Sequence, residues 1–117
     1  MSTFEITVKD ETGATVISLG GYGNAEAGKQ LITTVVELGR QGKVRVVVDL
    51  SPCKVLNSPG VTSLMDITMK IIDDFKGQLV LCGLDPLKIS VLKMARVIPM
   101  VPVAKTLPEA LELLRSS

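Results

Sequence analysis

Hydrophobic and polar positions change period several times along this chain. Phe4, Ile6 and Val8 alternate with polar residues, the two-residue period of a strand with one buried face. "DETG" (10–13) reads as a turn in which Gly13 supplies a positive φ, and "ATVISLGG" (14–21) as a second strand, so the pair predicts a hairpin. From Asn24 the period becomes helical. Gly28, Leu31, Ile32, Val35 and Leu38 share one face, with Asn24 placed to cap the start and Gly39 or Gly42 to end it. "KVRVVVDL" (43–50) and "GQLVLCGL" (77–84) are nearly unbroken apolar runs, as expected of strands covered on both faces. Between them Val61, Leu64, Thr68, Ile72 and Phe75 keep helical spacing. Asp85 as cap and Pro86 at the first position open a third helix, "DPLKISVLKMARV". "MVPV" (100–103) predicts a short edge strand, where Pro102 is tolerable, and Thr106 with Glu109 fits a capping box for a last helix, "TLPEALELL".

The predicted order is β-β-α-β-α-β-α-(β)-α, an α/β fold with a mixed, mostly parallel sheet and helices packed against it. The 117 residues suffice for a single domain, 1–117, in which only the final "RSS" looks loose. A net charge of +1 and few aromatic residues argue against a nucleic-acid partner. No apolar run approaches the roughly 18 residues of a membrane span, and "MSTFEITVKDE" lacks the basic start and apolar block of a signal peptide. A cytoplasmic protein that does not act at a membrane is expected. The apolar content leaves room for a self-association patch, so the expectation is a monomer or weak homodimer.

The chain contains no histidine, which removes imidazole acid–base chemistry, the Ser-His-Asp triad and nearly all catalytic zinc sites. No catalytic residue, metal site or cofactor is expected. Cys53 and Cys82 lack metal or redox spacing. Cys82 reads as a small buried hydrophobe and Cys53 as an exposed loop thiol. "LGGYGN" (19–24) is glycine-rich but matches neither phosphate-loop pattern, which favours an ordinary turn with Tyr22 at its tip. Asp49 has no acidic partner. Asp73 and Asp74 read as a solvated helix face, and Lys88, Lys93 and Arg96 as a charged outer face or, second, a patch for an acidic partner.

The stretch "KVLNSPGVTSL" (54–64) holds the most chemistry. Ser58 can be a helix N-cap, with Pro59 at the first helical position and Gly60 permitting close backbone approach. The same geometry makes Ser58 a plausible phosphoacceptor. It would lie at the carboxyl end of a parallel strand, where the helix dipole and free N–H groups meet a phosphate. Thr62, Met65, Asp66 and Met69 flank the buried face of the following helix, as its margin or as an adaptable binding surface.

"VVVDLSPCKVLNSPGVTSLMDI" resembles the central signature of the STAS domain, named for sulfate transporters and anti-sigma-factor antagonists. That signature is a hydrophobic strand ending in Asp-Leu, a short loop, then Asp-Ser-Ser-Gly or a variant opening a helix. "ISLGGYGNAEAGKQL", "GQLVLCGLDPLKISVLKMARV" and "KTLPEALELL" are similar to the flanking segments, so the resemblance covers nearly the whole chain. It implies a non-enzymatic bacterial regulator of transcription, an anti-sigma-factor antagonist. Such a protein binds an anti-sigma factor that is also a serine kinase, is switched off by phosphorylation and is restored by a PP2C-type phosphatase. The implied phosphorylation site is Ser58, and the implied partner face comprises Tyr22, Asn24, Asn57, Ser58, Pro59, Gly60, Thr62, Met65, Asp66 and Met69. Here Asn57 replaces the motif's Asp, Pro59 its second Ser, and Tyr22 and Asn24 stand where acids are common. The alternatives are an unswitched STAS scaffold subunit of a transporter or signalling assembly and, against the missing histidine, a small nucleotide-binding protein.

Overall fold

The computed structural model describes residues 3–11 and 13–115. Thr12 of the predicted turn and Ser116 and Ser117 of the predicted loose end lie outside the described residues. The elements are β1 (Phe4–Glu11), β2 (Ala14–Gly23), α1 (Ala25–Arg40), β3 (Arg45–Asp49), β4 (Cys53–Leu56), α2 (Ser58–Met69) continued by a π-helical turn (Lys70–Asp74), β5 (Gln78–Cys82), α3 (Pro86–Met94), β6 (Val103–Ala104) and α4 (Leu107–Arg115).

The sheet order is β1-β2-β3-β5-β6. β1 and β2 form the antiparallel hairpin, with Gly13 at φ +75°, and the remaining pairs are parallel. The alternation of side chains explains the unbroken apolar runs. Ile17, Leu19, Val46, Val48, Leu79 and Leu81 enter one core, while Val16, Val47, Val80 and Cys82 enter another on the opposite face. Leu31, Val35 and Leu38 of α1, Val61, Leu64 and Ile67 of α2 and Leu92 of α3 close the first core. Ala110 and Leu114 of α4 close the second. α4 starts with the predicted cap: Glu109 N–H donates to Thr106 Oγ1 at 3.3 Å, and Glu109 Oε2 accepts from Lys105 N–H at 3.2 Å. No helix among the described residues is long and apolar enough to cross a membrane.

Several expectations are corrected. The segment after β3 carries a strand, β4, that the sequence pattern did not indicate. β2 is long enough to pair with β3 over Thr15–Ser18 and then with β4 over Gly21–Gly23. A four-residue strand is too short to show a period. Cys53, on this strand, is therefore buried rather than an exposed loop thiol. Gly39 does not end α1. The Phe75 ring lies where a Gly39 Cβ would be 2.3 Å from it, and the helix ends at Gln41, followed by Gly42 at φ +78°. In α2 the buried face runs through Ile67 and Ile71, while Ile72 and Phe75 are half-buried, because the π-helical turn adds a residue per turn and rotates the face. Lys88 is not on an outer face: it is buried, and its ammonium pairs with Asp85 Oδ2 at 2.7 Å.

Candidate functional site

The carboxyl ends of β2 and β4 lie side by side and each runs into a helix. Both helices begin on an asparagine. Asn24 Oδ1 accepts from Ala27 N–H at 3.0 Å to cap α1, and Asn57 Oδ1 accepts from Gly60 N–H at 3.0 Å to cap α2. Asn24 also donates through Nδ2 to Thr3 Oγ1 at 3.2 Å, which ties the end of β2 to the start of β1.

The two helix starts are pressed together through small residues. Asn57 N–H donates to the Gly23 carbonyl at 3.1 Å. A Cβ on Gly60 would stand 2.1 Å from that same oxygen, and one on Gly28 would stand 2.0 Å from Ser63 Oγ. Glycine at 60 thus lets the first turn of α2 meet the end of β2, and glycine at 28 lets α1 meet α2. The positive ends of two helix dipoles converge there. Glu26 is the acid in the first turn of α1, and α2 has none in its first turn.

Ser58 occupies the first helical position, not the cap. Asn57, one residue earlier, has the extended backbone (φ −89°, ψ 175°) and the side-chain reach that capping requires, and Pro59 takes the second position. Ser58 is exposed, and its hydroxyl and N–H have no hydrogen-bond partner among the described residues; its carbonyl accepts from Thr62 Oγ1 at 3.1 Å. The free amides expected around Ser58 are reduced to its own. Gly60 N–H is held by Asn57 Oδ1, Val61 N–H by the Asn57 carbonyl at 2.9 Å, and Pro59 has none.

Tyr22, Asn57, Pro59, Thr62, Asp66 and Met69 are exposed around or beside Ser58 on these elements. Asn24 and Met65 are half-buried, Met65 packing on the main core, and Gly60 is buried against Gly23. One further apolar residue belongs to this rim. Val55 is the register partner of Tyr22 across β2–β4, and the two are 50% and 47% exposed. Only recognition of β4 as a strand could have placed Val55 there.

Several titratable groups have distinct surroundings of their own. Asp49 Oδ1 accepts from Ser51 N–H (2.9 Å) and Ser51 Oγ (2.8 Å). Burial, with Asp49 nearby, pushes the Cys82 thiol up to about 12, and burial also raises Cys53, partly opposed by Lys88. Hydrogen bonding from Lys88 holds the Asp85 carboxyl below its ordinary value. Both thiols are therefore protonated at neutral pH, the unreactive form.

No protein-family model and no curated protein sequence matches the chain. Its fold matches solved structures closely. An anti-sigma factor antagonist from Mycobacterium paratuberculosis superposes with a TM-score of 0.84 at 20% identity, covering 96% of this chain and 94% of that one. A STAS-domain anti-sigma-factor antagonist protein from Planctomyces limnophilus gives 0.74 at 24% identity, covering 94% and 97%. The Bacillus cell fate determinant SpoIIAA in its phosphorylated form gives 0.73 at 19% identity, covering 95% and 100%. The chain has the fold of the STAS-domain anti-sigma-factor antagonists.

Proposed function

We propose that this STAS-fold chain is an anti-sigma-factor antagonist whose binding to a serine-kinase anti-sigma factor is switched off by phosphorylation of Ser58 and restored by a PP2C-type phosphatase. The observation that carries the reading is Ser58 itself: an exposed, unbonded hydroxyl at the head of α2, on a fold shared with anti-sigma-factor antagonists, one of them solved phosphorylated. A phosphate adds a charge of about −2. The α2 dipole tolerates that charge, and Asn57 already holds the Gly60 amide, so the domain has no reason to rearrange. A partner docked over Tyr22, Val55, Ser58 and Met69 would have to bury the dianion, and the complex dissociates instead.

Two measurements test this. Intact mass of the protein from its native host, with fragmentation, should place about 80 Da on Ser58 in a fraction of the chains. The Ser58→Asp variant should melt like the wild type yet lose affinity for the kinase by tenfold or more, about 1.4 kcal/mol. Equal affinity of Ser58→Asp and wild type would refute the switch. A second reading, an unswitched scaffold subunit, draws on the neutral Tyr22, Asn24 and Asn57 and on the engagement of both asparagines in capping. It expects a stable complex without a kinase that is indifferent to Ser58→Asp.

A further inference from the structure

β1 is the outermost strand on one side of the sheet, and among the described residues no strand pairs with its outer edge. The hairpin register fixes where its amides point. Tyr22 N–H donates to the Thr3 carbonyl at 2.9 Å, so Thr3, Glu5, Thr7 and Lys9 bond toward β2. Phe4, Ile6, Val8 and Asp10 therefore aim their N–H and C=O groups at the open edge. Natural edges are blunted by proline, by a bulge or by charged side chains, and β1 carries only the last, Glu5, Lys9, Asp10 and Glu11. β1 contains no proline, and its register with β2 runs unbroken from Phe4 to Glu11. Val8 is 47% exposed although it lies on the same face as Phe4 and Ile6, which pack on the main core.

We propose that β1 is the interface of a two-fold homodimer, in which the β1 strands of two copies pair antiparallel about Thr7 and join the two sheets. The charge pattern selects both the occupant and the register. Centred on Thr7, Glu5 of each copy stands opposite Lys9 of the other, and Ile6 stands opposite Val8 in the hydrogen-bonded pairs formed by the outward amides. The apolar pair covers the exposed Val8, and Lys9, 3.5 Å from Glu11 of its own strand, gains a second acid. Phe4 faces Asp10 in this register; centring on Val8 would instead set Glu5 against Glu11 and leave Lys9 against Thr7. Centring on Ile6 would leave Glu5 against Thr7 and Lys9 without an acid. β2 carries β1 on one side and β4 on the other, so pairing through β1 leaves the Ser58 rim free.

Sedimentation of the full chain across a concentration series tests the proposal. The wild type should show a reversible dimer. Glu5→Lys and Lys9→Glu should each weaken it by about tenfold, since each converts two facing attractions into repulsions. An equimolar mixture of the two variants should associate more tightly than either alone, because opposite charges then face at both positions. That mixed association requires both chains to be folded, so misfolding cannot mimic it. The double variant Glu5→Lys/Lys9→Glu should regain wild-type association. A wild type that sediments as a monomer throughout, single variants that dimerise like the wild type, or a mixture no tighter than its components would each overturn the proposal.

Discussion

At the scale of single residues, the sequence placed a serine, a proline and a glycine at a helix start, and the structure divided their roles differently. From sequence the cap falls to Ser58, but asparagine and serine are comparably good caps, so residue preference alone does not settle the choice between Ser58 and Asn57. The extended backbone at 57 decided it. Asn57→Ala should therefore cost about 1 kcal/mol in a denaturant titration, the usual loss for a cap. Ser58→Ala should stay within about 0.5 kcal/mol, as for a surface position. The reverse result would restore Ser58 as the cap and remove its free hydroxyl. The same division matters for function, because a serine that is not needed to start its helix can be modified without loosening it.

At the scale of elements, α1 and α2 were legible from their 3.6-residue periods, but their approach was not. Gly60 shows why. By helix propensity alone, Gly60→Ala should stabilise α2 by about 1 kcal/mol. Yet a Cβ there meets the Gly23 backbone oxygen at 2.1 Å, and a backbone atom hydrogen-bonded to Asn57 cannot step aside cheaply. Overpacking of this kind costs about 1–3 kcal/mol, so the net change should be a loss, seen as a lower thermal midpoint and a displaced Ser58 rim. A stabilised Gly60→Ala protein would show that the two helix starts have room to separate. β4 is the element the sequence hid. Its four residues pair only because β2 runs on past β3, a fact of strand length and register rather than of composition.

At the scale of the whole molecule, the two-sided sheet sets the environment of Cys82, which lies under α4 in the smaller core. Its thiol titrates near 9.0 when unfolded and is pushed up to about 12 when folded. The unfolded chain thus binds fewer protons between these values. The contribution of Cys82 is complete below pH 9 and is lost as pH rises toward 12. Thermal midpoints should fall from pH 9 upward, and Cys82→Ala should flatten that slope whatever its effect at neutral pH. An unchanged slope would mean that the thiol reaches solvent in the native state. The sequence by itself determined the order of the main elements, the apolar strands covered on both faces and the helix caps at Asn24 and Asp85, because these depend on neighbours a few residues apart. Only the tertiary structure decided that Cys53 and Lys88 are buried, that Val55 joins Tyr22 on the rim, and that two helix starts converge beside Ser58. Each of these depends on which strand lies next to which, and strand adjacency is fixed by packing over long sequence distances that no local period records.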